Sequence, residues 1–323
     1  MKKRMMIKNK GEAGRFAGSR FLCGLLAWPA MASAAVVDFE GLTPGSVNGQ
    51  AGWSVADEFG NSPTAFDEEV MDDGTGNMVW RVSNAVTTTG FANQPFTHTS
   101  PLAAGETGSA LWNDRGSDHT APLSPPNAGA LAGSRIFNAS FSLKSATGAA
   151  QSGLAMSLSP SAKQSAYRNG YLNLVDVGTG IEVRTYDVGI STDPWNTATV
   201  ATVATLNYTD WHDISMSIEF VDGLGAGDVG NDIMHIYVNG SLVHTGSTWE
   251  AYYAGTSVQG LALPTAQAVD SLSFRLAGAQ ESGNLGNGFF LDNVEVINEP
   301  VPEPGSALLA AAGLVIVLRR RSR

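Results

Sequence analysis

Asp213-Ile214-Ser215-Met216-Ser217-Ile218-Glu219-Phe220 sets apolar Ile214, Met216, Ile218 and Phe220 against polar partners. A little further on runs Ile233-Met234-His235-Ile236-Tyr237-Val238-Asn239-Gly240-Ser241-Leu242-Val243-His244. Strict alternation is the mark of a half-buried strand, since successive side chains point to opposite faces. Asn239-Gly240 is the dipeptide that a tight type I′ turn prefers, because both central residues need positive φ. These stretches predict a strand followed by a hairpin, with one face turned to a core.

The same signals recur outward from this centre. Ala35 to Phe39 and Met78 to Ser83 are early strand candidates. Phe137 to Leu143 alternates Phe137, Ala139, Phe141 and Leu143 on one face. Tyr171 to Val177 and Ile181 to Asp187 flank Gly178-Thr179-Gly180, a second hairpin, and Ser271 to Leu276 and Phe289 to Ile297 complete the set. Glycine, serine, threonine and asparagine are abundant, and no stretch carries a helical period. The expected fold is all-β, an antiparallel β-sandwich of jelly-roll type. Residues 35–298 form one such domain. The proline-rich stretch Ser117 to Ser134 reads as a long surface loop, because Ala35 to Leu102 has too few strong strands for its own core.

Both ends of the chain differ from this body. Met1 to Arg20 holds seven basic residues against Glu12 alone, and the apolar stretch Phe21 to Met31 and Ala32-Ser33-Ala34 follow. That is the order of a secretory signal peptide, residues 1–34, with a helical apolar segment and cleavage expected before Ala35. At the other end a linker, 299–304, carries Val301-Pro302-Glu303-Pro304. Next come the apolar run Gly305 to Leu318 and the basic tail 319–323, with Arg319, Arg320 and Arg321. As a short transmembrane helix the run would measure about 21 Å, against a hydrocarbon core of about 30 Å. The terminal arginines would stay on the cytoplasmic side.

This tail resembles the PEP-CTERM sorting signal of Gram-negative bacteria. The resemblance implies signal peptidase and an exosortase as processing partners, transient contact with the membrane through 305–318, and cleavage near Pro302-Glu303-Pro304. It also implies a destination at the cell envelope, outer surface or extracellular matrix.

Processing would remove Cys23, the single cysteine, so disulfides, thiol catalysis and cysteine-ligated metals are not expected. The body from Ala35 to Leu318 keeps 8 basic residues against 29 acidic ones, a net charge near −21. Such a balance argues against nucleic acid and anionic lipid surfaces as partners.

A second resemblance rests on Trp211-His212, Ile218 to Gly223, Asn231-Asp232, Ile236 to Gly240 and Thr248-Trp249-Glu250-Ala251-Tyr252-Tyr253. These segments look like the late strands of concanavalin A-like or laminin G-like jelly rolls in bacterial surface proteins. In modules of that kind the first and last strands often share a structural calcium. The resemblance implies Glu40 and Asp292 as its ligands and calcium as a possible cofactor. Asp72 to Asn77 and Asp222 to Asp232 are further oxygen-rich loops, neither with EF-hand spacing.

Catalytic patterns are sparse. Glycoside hydrolysis needs two carboxylates facing one another across a cleft, and Glu219 and Asp222 fall on opposite faces of a strand. His235 and Tyr237 share one face, as a polysaccharide lyase would need, yet packing explains them as well. No Gly-x-Ser-x-Gly occurs, and His98, His119, His212, His235 and His244 show no zinc spacing. Sugar binding uses aromatic faces beside a few polar groups. Trp53, Trp112, Trp195, Trp249, Tyr252 and Tyr253 are its candidates, whereas Trp80 and Trp211 read as core. The expected function is an exported, non-enzymatic surface or matrix protein that contacts extracellular polysaccharide. A purely structural or adhesive role and a polysaccharide hydrolase or lyase are the alternatives.

Overall fold

The computed structural model describes residues 36–55, 66–86, 96–99, 134–161, 169–188, 198–219, 232–249, 269 and 271–300. The chain divides into two compact units, Met1–Ser33 and Ala34–Arg323, and every described residue belongs to the second. The sorting residues 301–304 and 319–321, the apolar run and the leader lie outside the described residues. So do Trp112, Trp195, Tyr252, Tyr253 and the loop from 117 to 133. Among the described residues no helix is long and apolar enough to cross a membrane.

Fourteen strands are described: β1 Trp53–Val55, β2 Asp67–Asp72, β3 Met78–Ser83, β4 Phe96–Thr99, β5 Ser134–Ser145, β6 Ala155–Ser161 and β7 Leu172–Asp176. They continue with β8 Ile181–Asp187, β9 Thr199–Leu206, β10 His212–Glu219, β11 Ile233–Val238, β12 Ser241–Ser247, β13 Ser271–Leu276 and β14 Phe289–Pro300. Two antiparallel seven-stranded sheets result, ordered β1-β4-β13-β6-β7-β8-β9 and β12-β11-β10-β5-β14-β3-β2. Strands from either side of residues 100–133 share both sheets: β4 pairs with β13, and β3 with β14.

The alternation at β10 does what its pattern predicts. Ile214, Met216 and Ile218 are buried, as are Phe137, Ala139, Phe141 and Leu143 on β5 and Met234, Ile236 and Val238 on β11. From the other sheet Leu158, Leu172, Leu174, Ile181, Val183, Leu272 and Phe274 close on them. One end of this core is aromatic: Trp80 lies 4.8 Å from Trp53 and 5.4 Å from Phe274, ring centre to ring centre. Each buried ring of this size removes much apolar area from water, on the order of 2 to 3 kcal/mol apiece.

Two connections depend on glycine. Asn239 and Gly240 have φ of 51° and 73°, the positive pair that turns β11 into β12. Gly288 has φ 112°, and a Cβ there would fall on the Val82 carbonyl, so only glycine lets β14 enter beside β3.

The ladder differs from the sequence expectation at the start. Of the expected strand Ala35 to Phe39, the described residues Val36 to Phe39 make no strand; Val37 forms an isolated antiparallel bridge to Val294, exchanging hydrogen bonds of 2.8 and 3.0 Å. Phe39 at φ 58° turns the chain away. The bridge falls where β14 bulges at Asn293, φ 50°, between Asp292 and Glu295.

Candidate functional site

The bridge brings Glu40 and Asp292 to one corner, beside the end of the loop from Asp72 to Asn77. Asn77 Nδ2 donates to Asp292 Oδ2 at 3.1 Å, and the Met78 N–H donates to Glu40 Oε1 at 3.1 Å. Asp72 and Asp73 cap their own loop, accepting from the Gly74, Gly76 and Thr75 N–H groups. Asp292 is buried, which pushes its pKa above the usual carboxylate value; Asp38 and Glu40 add to this, while Asn77 and the Asn293 N–H oppose it. Protein donors thus take up these carboxylates. Among the described residues no group of three or more acidic, histidine or cysteine side chains is arranged to hold a metal ion.

The aromatic candidates divide. Trp53 belongs to β1 and is 2 % exposed, enclosed by Phe39, Trp80 and Phe274. A ring sealed in the core has no face for a sugar, and the glycines around it are turns that feed the strand. Trp249 is 3 % exposed, packed 4.7 Å from Tyr171. Its exposed-loop reading is corrected in the same way. Trp211 is only partly buried, with Lys144 Nζ 6.0 Å from its ring centre, and Trp80 is fully buried.

A polar trough lies on the outer face of the second sheet. Strand alternation turns Asn138 and Ser140 of β5 and Ser215 and Ser217 of β10 away from the core, and register sets Ser140 opposite Ser215 and Asn138 opposite Ser217. These four short side chains make a floor. On one side β11 raises Tyr237 beside Ser215 and His235 beside Ser217. On the other, β14 raises Glu295 beside Ser140 and Ile297 beside Asn138. The walls are three strand spacings apart, about 14 Å, and enclose a depression of about 390 Å³.

The His235 and Tyr237 rings lie 6.4 Å apart, and His235 Nδ1 meets Thr245 Oγ1 at 3.0 Å. Sequence reasoning found this pair on one face; Glu295 and the serine floor were missed. Glu295 stands 58 positions from Tyr237 in the chain, and only the order β11-β10-β5-β14 brings them to one depression. Among the described residues, the trough lining holds one carboxylate, Glu295, and no lysine or arginine.

Elsewhere on the same sheet one arginine is paired with two carboxylates. Arg81 reaches Asp67 at 2.9 Å and Glu69 at 3.1 Å, and Ser83 donates to Asp67 at 2.5 Å. Burial alone would raise the Asp67 pKa, but the guanidinium, the Ser83 hydroxyl and the Gly286 N–H outweigh it and hold the carboxyl below its ordinary value.

No protein-family model and no curated protein matches this chain. Among solved structures, an alginate lyase bound to an alginate trisaccharide aligns over 82 % of this chain and 98 % of its own, at 10 % identity and TM-score 0.44. An alginate lyase from Chlorella virus aligns over 80 % and 99 %, at 10 % identity and TM-score 0.40. An endo-beta-1,4-glucuronan lyase from the fungus Trichoderma reesei aligns over 77 % and 95 %, at 11 % identity and TM-score 0.29. The fold assignment rests on the two sheets themselves.

Proposed function

We propose that this chain is an exported surface or matrix protein whose sandwich holds carbohydrate without cleaving it, in the trough between Tyr237 and Glu295. The observation that carries this reading is a hydroxyl and amide floor flanked by an aromatic ring, in a depression of about 390 Å³. That volume lies in the range of small-ligand sites. Sugars present hydroxyls on their edges and C–H groups on their faces. The floor of Asn138, Ser140, Ser215 and Ser217 offers donors and acceptors to the first, and the Tyr237 ring offers a π face to the second.

Binding is favoured over turnover by what the lining lacks. Hydrolysis uses two opposed carboxylates, and among the described lining residues Glu295 has no acidic partner across the trough. Elimination from a uronic acid needs a charge-neutralising group at the substrate carboxylate, and the described lining residues include no arginine or lysine. A glycan array and calorimetry on the purified protein test the reading. Saturable binding that falls at least tenfold in Tyr237→Ala, with no new reducing or unsaturated ends, is expected. New ends made by the wild type and lost in His235→Ala would establish the lyase alternative, and a blank array on folded protein would favour the structural or adhesive role.

Export and sorting remain part of the proposal. Their support is the basic leader with its apolar stretch, the Val301-Pro302-Glu303-Pro304 tail, and the position of β14, which ends at Pro300 while still paired with Ser134 of β5. Cleavage after the motif would leave that ladder whole. Deleting 301–323 is expected to change the protein's destination, and unchanged delivery would contradict the sorting proposal.

A further inference from the structure

The trough runs along its strands, with β5 and β10 as the floor and β11 and β14 as the walls. Register sets Glu295, Ser140, Ser215 and Tyr237 in one row across all four. Each of these side chains is only partly buried, so solvent reaches the row. Among the described residues Glu295 makes neither an ion pair nor a hydrogen bond. Asp67, Asp187 and Asp292 each have a protein donor, from Arg81, the Ser247 N–H and Asn77.

Covering such a carboxylate strips its hydration, a cost that an uncharged ligand meets only in part. A neutral sugar returns a hydroxyl. A sugar ammonium returns several N–H donors together with an opposite charge, and hydrogen bonds with ionised partners are the stronger kind. A uronate brings a second negative charge and is repelled.

The surroundings have the same sign. Alternation turns Asp213 and Glu219, near the two ends of β10, to the outer face that carries Ser215 and Ser217, and both acids are exposed. Six residues of strand separate them, about 20 Å. Asp213 accepts from Ser142 Oγ at 2.7 Å, which holds it on this face. Lys144 lies four positions beyond Ser140 along β5, with its Nζ 6.0 Å from the Trp211 ring centre. The body from Ala35 to Leu318 carries 8 basic residues against 29 acidic ones, a field that draws cations toward the surface and raises their rate of encounter.

We infer that this trough selects glycans with free amino groups, de-N-acetylated hexosamine units, and the inference rests on its being the sugar site. Glu295 holds the sugar ammonium, Tyr237 packs against the ring, and the serine floor meets its hydroxyls. A chain of such units laid along the trough passes Glu295 midway and Asp213 and Glu219 at the ends. N-acetylation would remove the charge and set a methyl group against the carboxylate.

Calorimetry with two oligosaccharides that differ only at nitrogen tests this: a β-1,4-linked glucosamine hexamer and its fully N-acetylated counterpart, each titrated into wild type, Glu295→Gln and Tyr237→Ala. The wild type is expected to bind the glucosamine hexamer about tenfold or more tightly than the acetylated one, a preference that shrinks as salt screens the pair. Glu295→Gln is expected to lose about tenfold in affinity for the glucosamine hexamer and little for the acetylated one. Its Tm should equal or exceed that of the wild type, whereas a glutamate that served only the fold would lower the Tm and move both affinities together. Tyr237→Ala is expected to weaken both ligands. Equal wild-type affinity for the two hexamers, or an intact preference in Glu295→Gln, would overturn the amino-sugar inference, and the trough would still stand as the sugar site if Tyr237→Ala weakens both. Folded wild type that binds neither hexamer would overturn the inference too, with the glycan array deciding the trough separately. Binding that survives unchanged in both variants would place the sugar elsewhere and overturn the two together.

Discussion

Asp292 and Asp67 are two buried aspartates with opposite pH behaviour. The Asp292 pKa is raised above 3.8 by burial first and by Asp38 and Glu40 after it. Its contribution to stability is therefore fullest below that value and is lost as pH rises through the folded-state pKa. The Asp67 pKa is lowered by the Arg81 pairing, the Ser83 hydroxyl and the Gly286 N–H, despite burial. Its contribution is present above 3.8 and lost as pH falls through the folded-state pKa. Asp292→Asn in EDTA should match or exceed wild-type stability at pH 7 in thermal unfolding, since it removes a buried charge, the Asn293 N–H can still donate to the amide oxygen, and Asn77 can turn its own amide to accept from the new NH2 group. Added calcium that stabilises the wild type and not Asp292→Asn would show that this corner takes an ion. Arg81→Gln should cost about 3 kcal/mol or more in denaturant unfolding at pH 7, because it strands Asp67.

At the scale of elements, legibility followed alternation. β10 and β11 were readable because their apolar positions repeat every second residue, and β3, β8 and β13 for similar reasons. β6 was not, since Ser157, Ser159 and Ser161 and the embedded Pro160 read as loop chemistry, although all four are buried in a central strand. β2, Asp67–Asp72, hid behind its acids, whose partner Arg81 is supplied by the next strand. Trp53 was misplaced because β1 is three residues long and follows glycine turns. The trough escaped for a different reason: Tyr237 and His235 share a strand and could be paired from sequence, whereas Glu295, Asn138 and Ser217 meet only through a four-strand register. Gly288→Ala tests the packing claim for β14. It should destabilise by about 2 kcal/mol or more, through a clash with the Val82 carbonyl and an unfavourable φ, read from the denaturant midpoint at constant m. Gly240→Ala, at φ 73° with open space around its Cβ, should cost less, about 1 kcal/mol.

For the whole molecule, a sandwich presents two outer faces, and here they differ. The second sheet offers a trough with Glu295 on one side and an aromatic wall on the other; on the first, the serine rows of β6 and β13 are buried. The central claim is that the trough holds sugar, and calorimetric titration of the purified wild type and Tyr237→Ala with the best ligand from a glycan array tests it most directly. The account predicts saturable binding by the wild type, a tenfold or greater loss in Tyr237→Ala, and an unchanged unfolding midpoint. Equal affinity in the two proteins, or no affinity in either while both are folded, would contradict it.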